Sequence, residues 1–239
     1  MNKIESYAMT LFIGGSLLIE TSSCTSKSEN ASVQNPNQSV AISESNDPLV
    51  ALKDGNNRFV SDKPLHIHQD LEKVKELSKG QNPKAVIIGC SDSRVSPEIL
   101  FDQGMGDLFV IRTAGNVMSD YELGSIEYAT EHLHTKLVVV LGHYGCGAIQ
   151  AMLEHKDDEN IPGHIAHIVN TLKDEKEEQE VLNSSDNSSI NAVKANVLHG
   201  VKQLRDCDPL LKEAYEKGEI KIVGAIYHID SGKVDFLEI

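Results

Sequence analysis

Two short stretches carry the residue types able to do chemistry. In AVIIGCSDSRV, residues 85 to 95, an apolar run precedes Cys90, Asp92 and Arg94; in LVVVLGHYGCGA, residues 137 to 148, a second run precedes His143 and Cys146. Apolar, β-branched runs closed by glycine read as buried strands, so both polar clusters are expected at strand ends, with Gly89 turning the first chain segment. Two thiols and one imidazole are three of the four ligands of a tetrahedral zinc site. Structural zinc sites use closely spaced ligand pairs, whereas a lone cysteine followed 53 residues later by His-x-x-Cys suits a catalytic site with an open fourth position. Cys146, at the start of a helix, gains thiolate character from the amide dipole. Two thiolates and a neutral imidazole leave a Zn2+ site formally neutral, so a bound water can lose a proton near pH 7. Asp92 either occupies the fourth position or accepts a hydrogen bond from the metal-bound hydroxide; Arg94 pairs with it and keeps it ionised. Taken singly, these are a core thiol, a turn aspartate and a structural histidine. Their joint placement is what argues for chemistry.

The elements around these stretches predict an α/β fold. Leu49, Val50, Leu52 and Phe59 recur at helical spacing after Pro48, and Leu71, Val74 and Leu77 mark a second packing helix that stops at Gly80 and Pro83. Ser96-Pro97-Glu98 starts a short helix, and DLFVIR at 107 to 112 is a strand. A helix over 121 to 134 has Leu123, Ile126, Tyr128, Ala129 and Leu133 as its candidate buried side. Beyond Cys146 the pattern predicts helices to about His155, from about His164 to Leu182, from about Ile190 to Leu204 and around Pro209 to Glu216. The charge run DEKEEQE at 174 to 180 reads as a solvated face. EIKIVGAIYHI and KVDFLEI flank Asp230-Ser231-Gly232 as a hairpin that adds a fourth and a fifth strand. Strands separated by helices predict a mainly parallel sheet covered on both faces, with the site beyond the strand C-termini.

These blocks resemble those of the β-class carbonic anhydrases. CSDSR at 90 to 94 and GHYGCGA at 142 to 148 match the family's two signature blocks, and similarity runs from GNNRF at 55 to KVDFL at 233 to 237. The resemblance implies Cys90, His143 and Cys146 as zinc ligands, Asp92 with Arg94 as the catalytic dyad, and Gln81, Phe109, Tyr128 and Gly147 at substrate-pocket positions. It implies zinc-dependent, reversible hydration of carbon dioxide to bicarbonate and a proton by zinc hydroxide, in obligate dimers often paired into tetramers, with each site near the dimer interface. Tyr144 stands where the family usually has serine or another small residue, and His228 where aspartate is common. Two other readings fit the same residues: a hydrolase of a carbon dioxide analogue such as carbonyl sulfide or carbon disulfide, or a non-enzymatic zinc- or bicarbonate-binding module.

Composition bounds the rest. With 239 residues and 40% hydrophobic content the chain can bury a full core, and a net charge of −14 argues against a nucleic-acid partner. Lys3, then the mostly apolar Ala8 to Ile19, then Thr21-Ser22-Ser23 before Cys24, resembles a bacterial lipoprotein signal. The expected organisation is a signal peptide over 1–23, a flexible tether over 24–47 rich in Ser, Asn and Gln, and a catalytic domain over 48–239. Cys24 would carry the lipid and the domain would face the periplasm; the alternatives are an ordinary cleaved signal or an uncleaved leader. No membrane contact beyond that anchor is expected. Cys90, Cys146 and Cys207 are too few and too odd in number for a disulfide framework, although oxidation of the first two is the competing fate in an oxidising compartment.

Overall fold

The computed structural model describes residues 45–157 and 160–238. The expected signal peptide, Cys24 and most of the tether lie outside the described residues. The first half contains helices α1 Pro48–Val60 and α2 Leu71–Leu77, strand β1 Ala85–Cys90, helix α3 Pro97–Leu100, strand β2 Leu108–Thr113 and helix α4 Asp120–Glu131. Strand β3 Leu137–His143 is followed by helices α5 Gly147–Glu154, α6 Ile165–Asp174, α7 Lys176–Leu182, α8 Ser189–Asp206 and α9 Leu210–Glu216. Strands β4 Lys221–Tyr227 and β5 Val234–Phe236 close the domain.

The five strands form one sheet in the order β2-β1-β3-β4-β5. β1 pairs in parallel with β2 and β3, and β3 with β4; β5 alone runs antiparallel, against β4. This is the mainly parallel sheet with a C-terminal hairpin strand that the sequence predicts. A sheet covered on both faces needs apolar side chains at every position, and β1 and β3 are buried along their whole length. Alternation then divides the core into two layers. Val86, Ile88, Val138 and Val140 meet Ile126 of α4, Ile149 of α5, Leu172 of α6 and Val197 of α8. Ala85, Ile87, Val139 and Leu141 meet Leu52 of α1 with Leu100 and Phe101. Helix starts are chemically specified: Asp47 accepts from the N–H groups of Leu49 and Val50 ahead of Pro48, and Ser119 with Glu122 forms a capping box on α4. At Gly142 a Cβ would lie 2.4 Å from Val197 Cγ2, so only glycine lets α8 close on the end of β3.

Several expectations are corrected. Gly89 does not turn the chain: it is paired on both sides, with Arg112 and Leu141, and β1 runs through it to Cys90. α2 has no buried residue, with Leu71 76% and Val74 42% exposed; its apolar stripe is present, but the described part of the chain does not cover it. On α4, Ile126, Ala129 and Thr130 face inward and Tyr128 is 46% exposed, because a position two residues from Ile126 lies on the opposite side of a helix of 3.6-residue period. The helix expected over 164–182 is two, since Glu175 has extended backbone (φ −71°, ψ 137°) between α6 and α7. That break resets the helical phase and turns part of the charge run inward: Glu178 is fully buried.

Candidate active site

Because β1 and β3 are parallel neighbours, their C-termini lie side by side, and Cys90 closes one while His143 closes the other. Gly145 then adopts a left-handed conformation (φ 72°), which lets the chain fold back within three residues and makes Cys146 the N-cap of α5. Cys90, His143 and Cys146 are 5%, 1% and 2% exposed. A ligand atom from each lies within 4.8 Å of the other two, and the sulfurs are 4.0 Å apart. The His143 Nδ1 lies 3.1 Å from the carbonyl oxygen of Tyr144. That carbonyl accepts the Nδ1–H and leaves Nε2 with a bare lone pair, the arrangement in which a histidine ligates a metal. Nε2 is buried without a hydrogen-bond partner. An orphaned imidazole nitrogen beside two sulfurs fits a tetrahedral zinc ion.

The thiols titrate as a pair. The S–H of Cys146 holds the Cys90 sulfur well below the ordinary thiol range against opposing burial, with further help from the N–H groups of Asp92 (3.4 Å) and Gly115 (3.3 Å). Cys146 is pushed up by Cys90 and by burial, despite the helix N–H groups of Ile149 and Ala148. A dication held between them would draw both to the thiolate form.

Asp92 reaches the same point in space, its Oδ2 4.0 Å from His143 Nε2. Arg94 grips it in a two-pronged contact: the backbone N–H and Nε each donate to Oδ1 at 2.9 Å, and Nη2 donates to Oδ2 at 2.7 Å. Nη2 also donates to the Gly145 carbonyl at 3.2 Å, joining the two strand-end loops. The Arg94 side-chain hydrogen bonds hold the Asp92 carboxyl well below the usual range. A carboxyl depressed in this way contributes stability that is complete above its unfolded pKa of about 4 and is lost only as pH falls through the lower folded value. The Asp92 carboxyl resonance is therefore expected to stay unchanged from pH 7 to 4 in a carbon-13 titration, and in Arg94→Gln its midpoint should rise toward about 4. An unmoved midpoint in that variant would remove Arg94 as the cause.

Three residues escaped the sequence reading. Arg112 donates through Nε to the Cys90 carbonyl at 3.0 Å and through Nη2 to the Asp92 carbonyl at 2.7 Å, pinning the loop to β2. A guanidinium at the end of an otherwise apolar strand was its signal. Gly115, at φ 69°, places its N–H on Cys90 Sγ, and Asn196 of α8 donates to the Gly115 carbonyl at 2.9 Å. Nothing local in the sequence marks that pair, which is separated by 81 positions.

Of the four expected pocket residues, only Gly147 stands at this centre, as the first residue of α5 beside Cys146. Phe109 pairs with Val86, four residues before Cys90, so the strand rise puts about 13 Å between their levels. Its ring lies 6.3 Å from that of Tyr128. Gln81 is exposed in the loop before β1, at the far end of the strand. A single chain thus does not bring Gln81, Phe109 or Tyr128 to its own Cys-His-Cys cluster. Tyr144 and His228 meet each other, ring edge to ring face at 4.8 Å, and His228 lies 2.9 Å from Asp235.

A parallel sheet with a Cys-His-Cys group able to hold a metal at adjacent strand ends, beside an Arg-held aspartate, defines the class of α/β protein to which the chain is compared. Residues 85–234 match the family described as "Carbonic anhydrase". The chain is 43% identical over 189 residues to a carbonic anhydrase of Mycolicibacterium smegmatis, covering 77% of this chain and 89% of that one. It is 41% identical over 186 residues to carbonic anhydrase 2 of Mycobacterium tuberculosis, covering 77% and 88%. Among solved structures, the β-carbonic anhydrase CcaA superposes with a TM-score of 0.62 at 29% identity, covering 70% of this chain and 89% of its own. A structure reported for two tetrameric β-carbonic anhydrases of the ascomycete Sordaria macrospora superposes with a TM-score of 0.61 at 28% identity, covering 78% and 94%. The chain belongs to the β-class carbonic anhydrases, enzymes whose general reaction is the hydration of carbon dioxide.

Proposed function

We propose that this chain hydrates carbon dioxide reversibly to bicarbonate and a proton with Zn2+ held by Cys90, His143 and Cys146. The observation that carries the reading is the buried, partnerless Nε2 of His143 between two sulfurs and the Asp92 carboxylate. Bound zinc supplies a Lewis acid that brings the pKa of a water near 7. The chain's own residues supply orientation. Arg94 donates to both Asp92 oxygens, and Oδ2, 4.0 Å from His143 Nε2, keeps a second lone pair that can accept a hydrogen bond from the nucleophile and fix its direction. Arg112 and Gly115 hold Cys90 and the Asp92 backbone still. At Gly147 a Cβ would meet nothing within 4 Å, so the helix start leaves open space beside Cys146. Stopped-flow hydration of carbon dioxide by zinc-loaded protein tests the reading; loaded protein without activity at alkaline pH contradicts it.

The working unit is at least a dimer. Exposed Leu71, Val74 and Tyr128, and the distance of Gln81 and Phe109 from their own metal group, support a second copy supplying the pocket wall. In this reading the Gln81 amide donates to a substrate oxygen, and Phe109 with Tyr128 gives apolar contact to carbon dioxide. Gln81→Leu is expected to lower kcat/KM about tenfold, one lost hydrogen bond. Co-expressing it with Cys146→Ser should restore activity, because the intact metal site of one chain then meets the intact Gln81 of the other. A mixture no more active than its separate parts contradicts the arrangement.

The order Lys3, Ala8 to Ile19, small residues, Cys24 supports export, with Cys24 as the lipid-bearing N-terminus of a periplasm-facing protein. Among the described residues no helix is long and apolar enough to cross a membrane. Mass spectrometry of the membrane fraction should find an acylated peptide beginning at Cys24; an unmodified Cys24 there contradicts it.

A further inference from the structure

The break between α6 and α7 creates a second cluster of ligating groups on the helical layer. Glu175, Glu178 and His199 each offer one ligand atom within 4.8 Å of the others. We propose that these three residues form a second metal site that binds a divalent first-row transition cation and ties α7 to α8.

Three observations converge on it. Glu178 is fully buried, and neither of its carboxylate oxygens has a hydrogen-bond partner; Glu175 Oε2 is likewise buried and unpartnered. One proton shared between the two carboxylates would still leave an oxygen bare, and an uncompensated buried carboxylate is costly. His199 is already oriented as a ligand. Its Nδ1 lies 2.7 Å from Glu177 Oε2, which accepts the ring proton, and its Nε2 faces Glu175 Oε1 at 3.8 Å. That distance is too long for a hydrogen bond and close to the separation of two donors sharing one ion. A carboxylate holding the far nitrogen of a ligating histidine is a recurrent feature of metal sites. Two carboxylates and a neutral imidazole also balance a dication in charge. One nitrogen and two oxygens suit zinc or manganese; calcium needs six or more oxygens. His199 and Glu177 also line a groove of about 400 Å³, so the histidine edge of the cluster borders open space.

Zinc is the probe. Full-length protein dialysed against low-micromolar free Zn2+ is expected to hold two equivalents per chain, and Glu178→Gln and His199→Ala one each. Carbon dioxide hydration by both variants should match the parent, which shows that they fold. Zinc above the first equivalent should raise the thermal midpoint of the parent and leave that of the variants unmoved. Cys146→Ser should lose the other equivalent, so the two metal assignments fail separately. A parent that holds no more zinc than Glu178→Gln overturns the site, as does a His199→Ala protein that keeps both equivalents. Glutamates that merely share a proton would give the first of these results.

Discussion

Cys146→Ser is expected to abolish tight zinc binding at the strand-end centre and to reduce carbon dioxide hydration to background. The substitution barely changes volume at a position 2% exposed, so the helix cap and the surrounding core should persist. What changes is the ligand. A serine hydroxyl keeps its proton where a thiol beside a dication loses it, leaving a neutral oxygen in place of an anionic sulfur and one uncompensated positive charge. Loss of a group that only orients a ligand costs ten- to a hundredfold in metal affinity, so loss of the ligand itself should cost at least about a hundredfold. Affinity measured by competition with a chromogenic chelator reads this directly. Retention of parental zinc affinity in the folded variant would remove Cys146 from the ligand set.

Asp92→Asn should give the complementary result: zinc retained, chemistry lost. Asp92 Oδ1 accepts two N–H groups and Oδ2 a third from Arg94. An asparagine can accept at one of these positions, but its NH2 must then face the Arg94 Nη2 across a 2.7 Å gap, donor against donor. The contact splays, and the negative charge beside His143 disappears. Losing one oriented electrostatic or proton-accepting group in a reaction centre costs on the order of 10²–10³ in kcat/KM. Stopped-flow assays on variant protein with verified zinc content should show that fall. A zinc-loaded Asp92→Asn enzyme within about twofold of the parent would contradict the role given to this carboxylate.

Much of this was legible before any coordinates. Val86 to Ile88 and Val138 to Leu141 are apolar on both strand faces because both faces are covered, so the parallel sheet could be read directly from the runs, and with it the ends where Cys90 and His143 stand. The strand order could not, since nothing in the sequence sets β1 between β2 and β3. Periodicity failed where its assumptions failed. It assigned Leu71 and Val74 to an inner surface that the described chain does not provide, and it carried one helical phase through Glu175, which made a buried Glu178 look solvated. Composition misled there too, because a run of like charges says nothing about which member turns inward. Arg112 and Asn196 were missed for a third reason: they act on the site through the backbone at Cys90, Asp92 and Gly115, and contacts of that kind leave no spacing to recognise.

One metal is expected between the sulfurs of Cys90 and Cys146 and the Nε2 of His143, with one position left for solvent. X-ray absorption at the zinc edge, on protein carrying only its first, tightest equivalent, measures that shell. Two sulfur scatterers at about 2.3 Å and one imidazole nitrogen with one further light atom at about 2.0–2.1 Å are expected. A shell without sulfur, or one of three or four sulfurs, would contradict that arrangement.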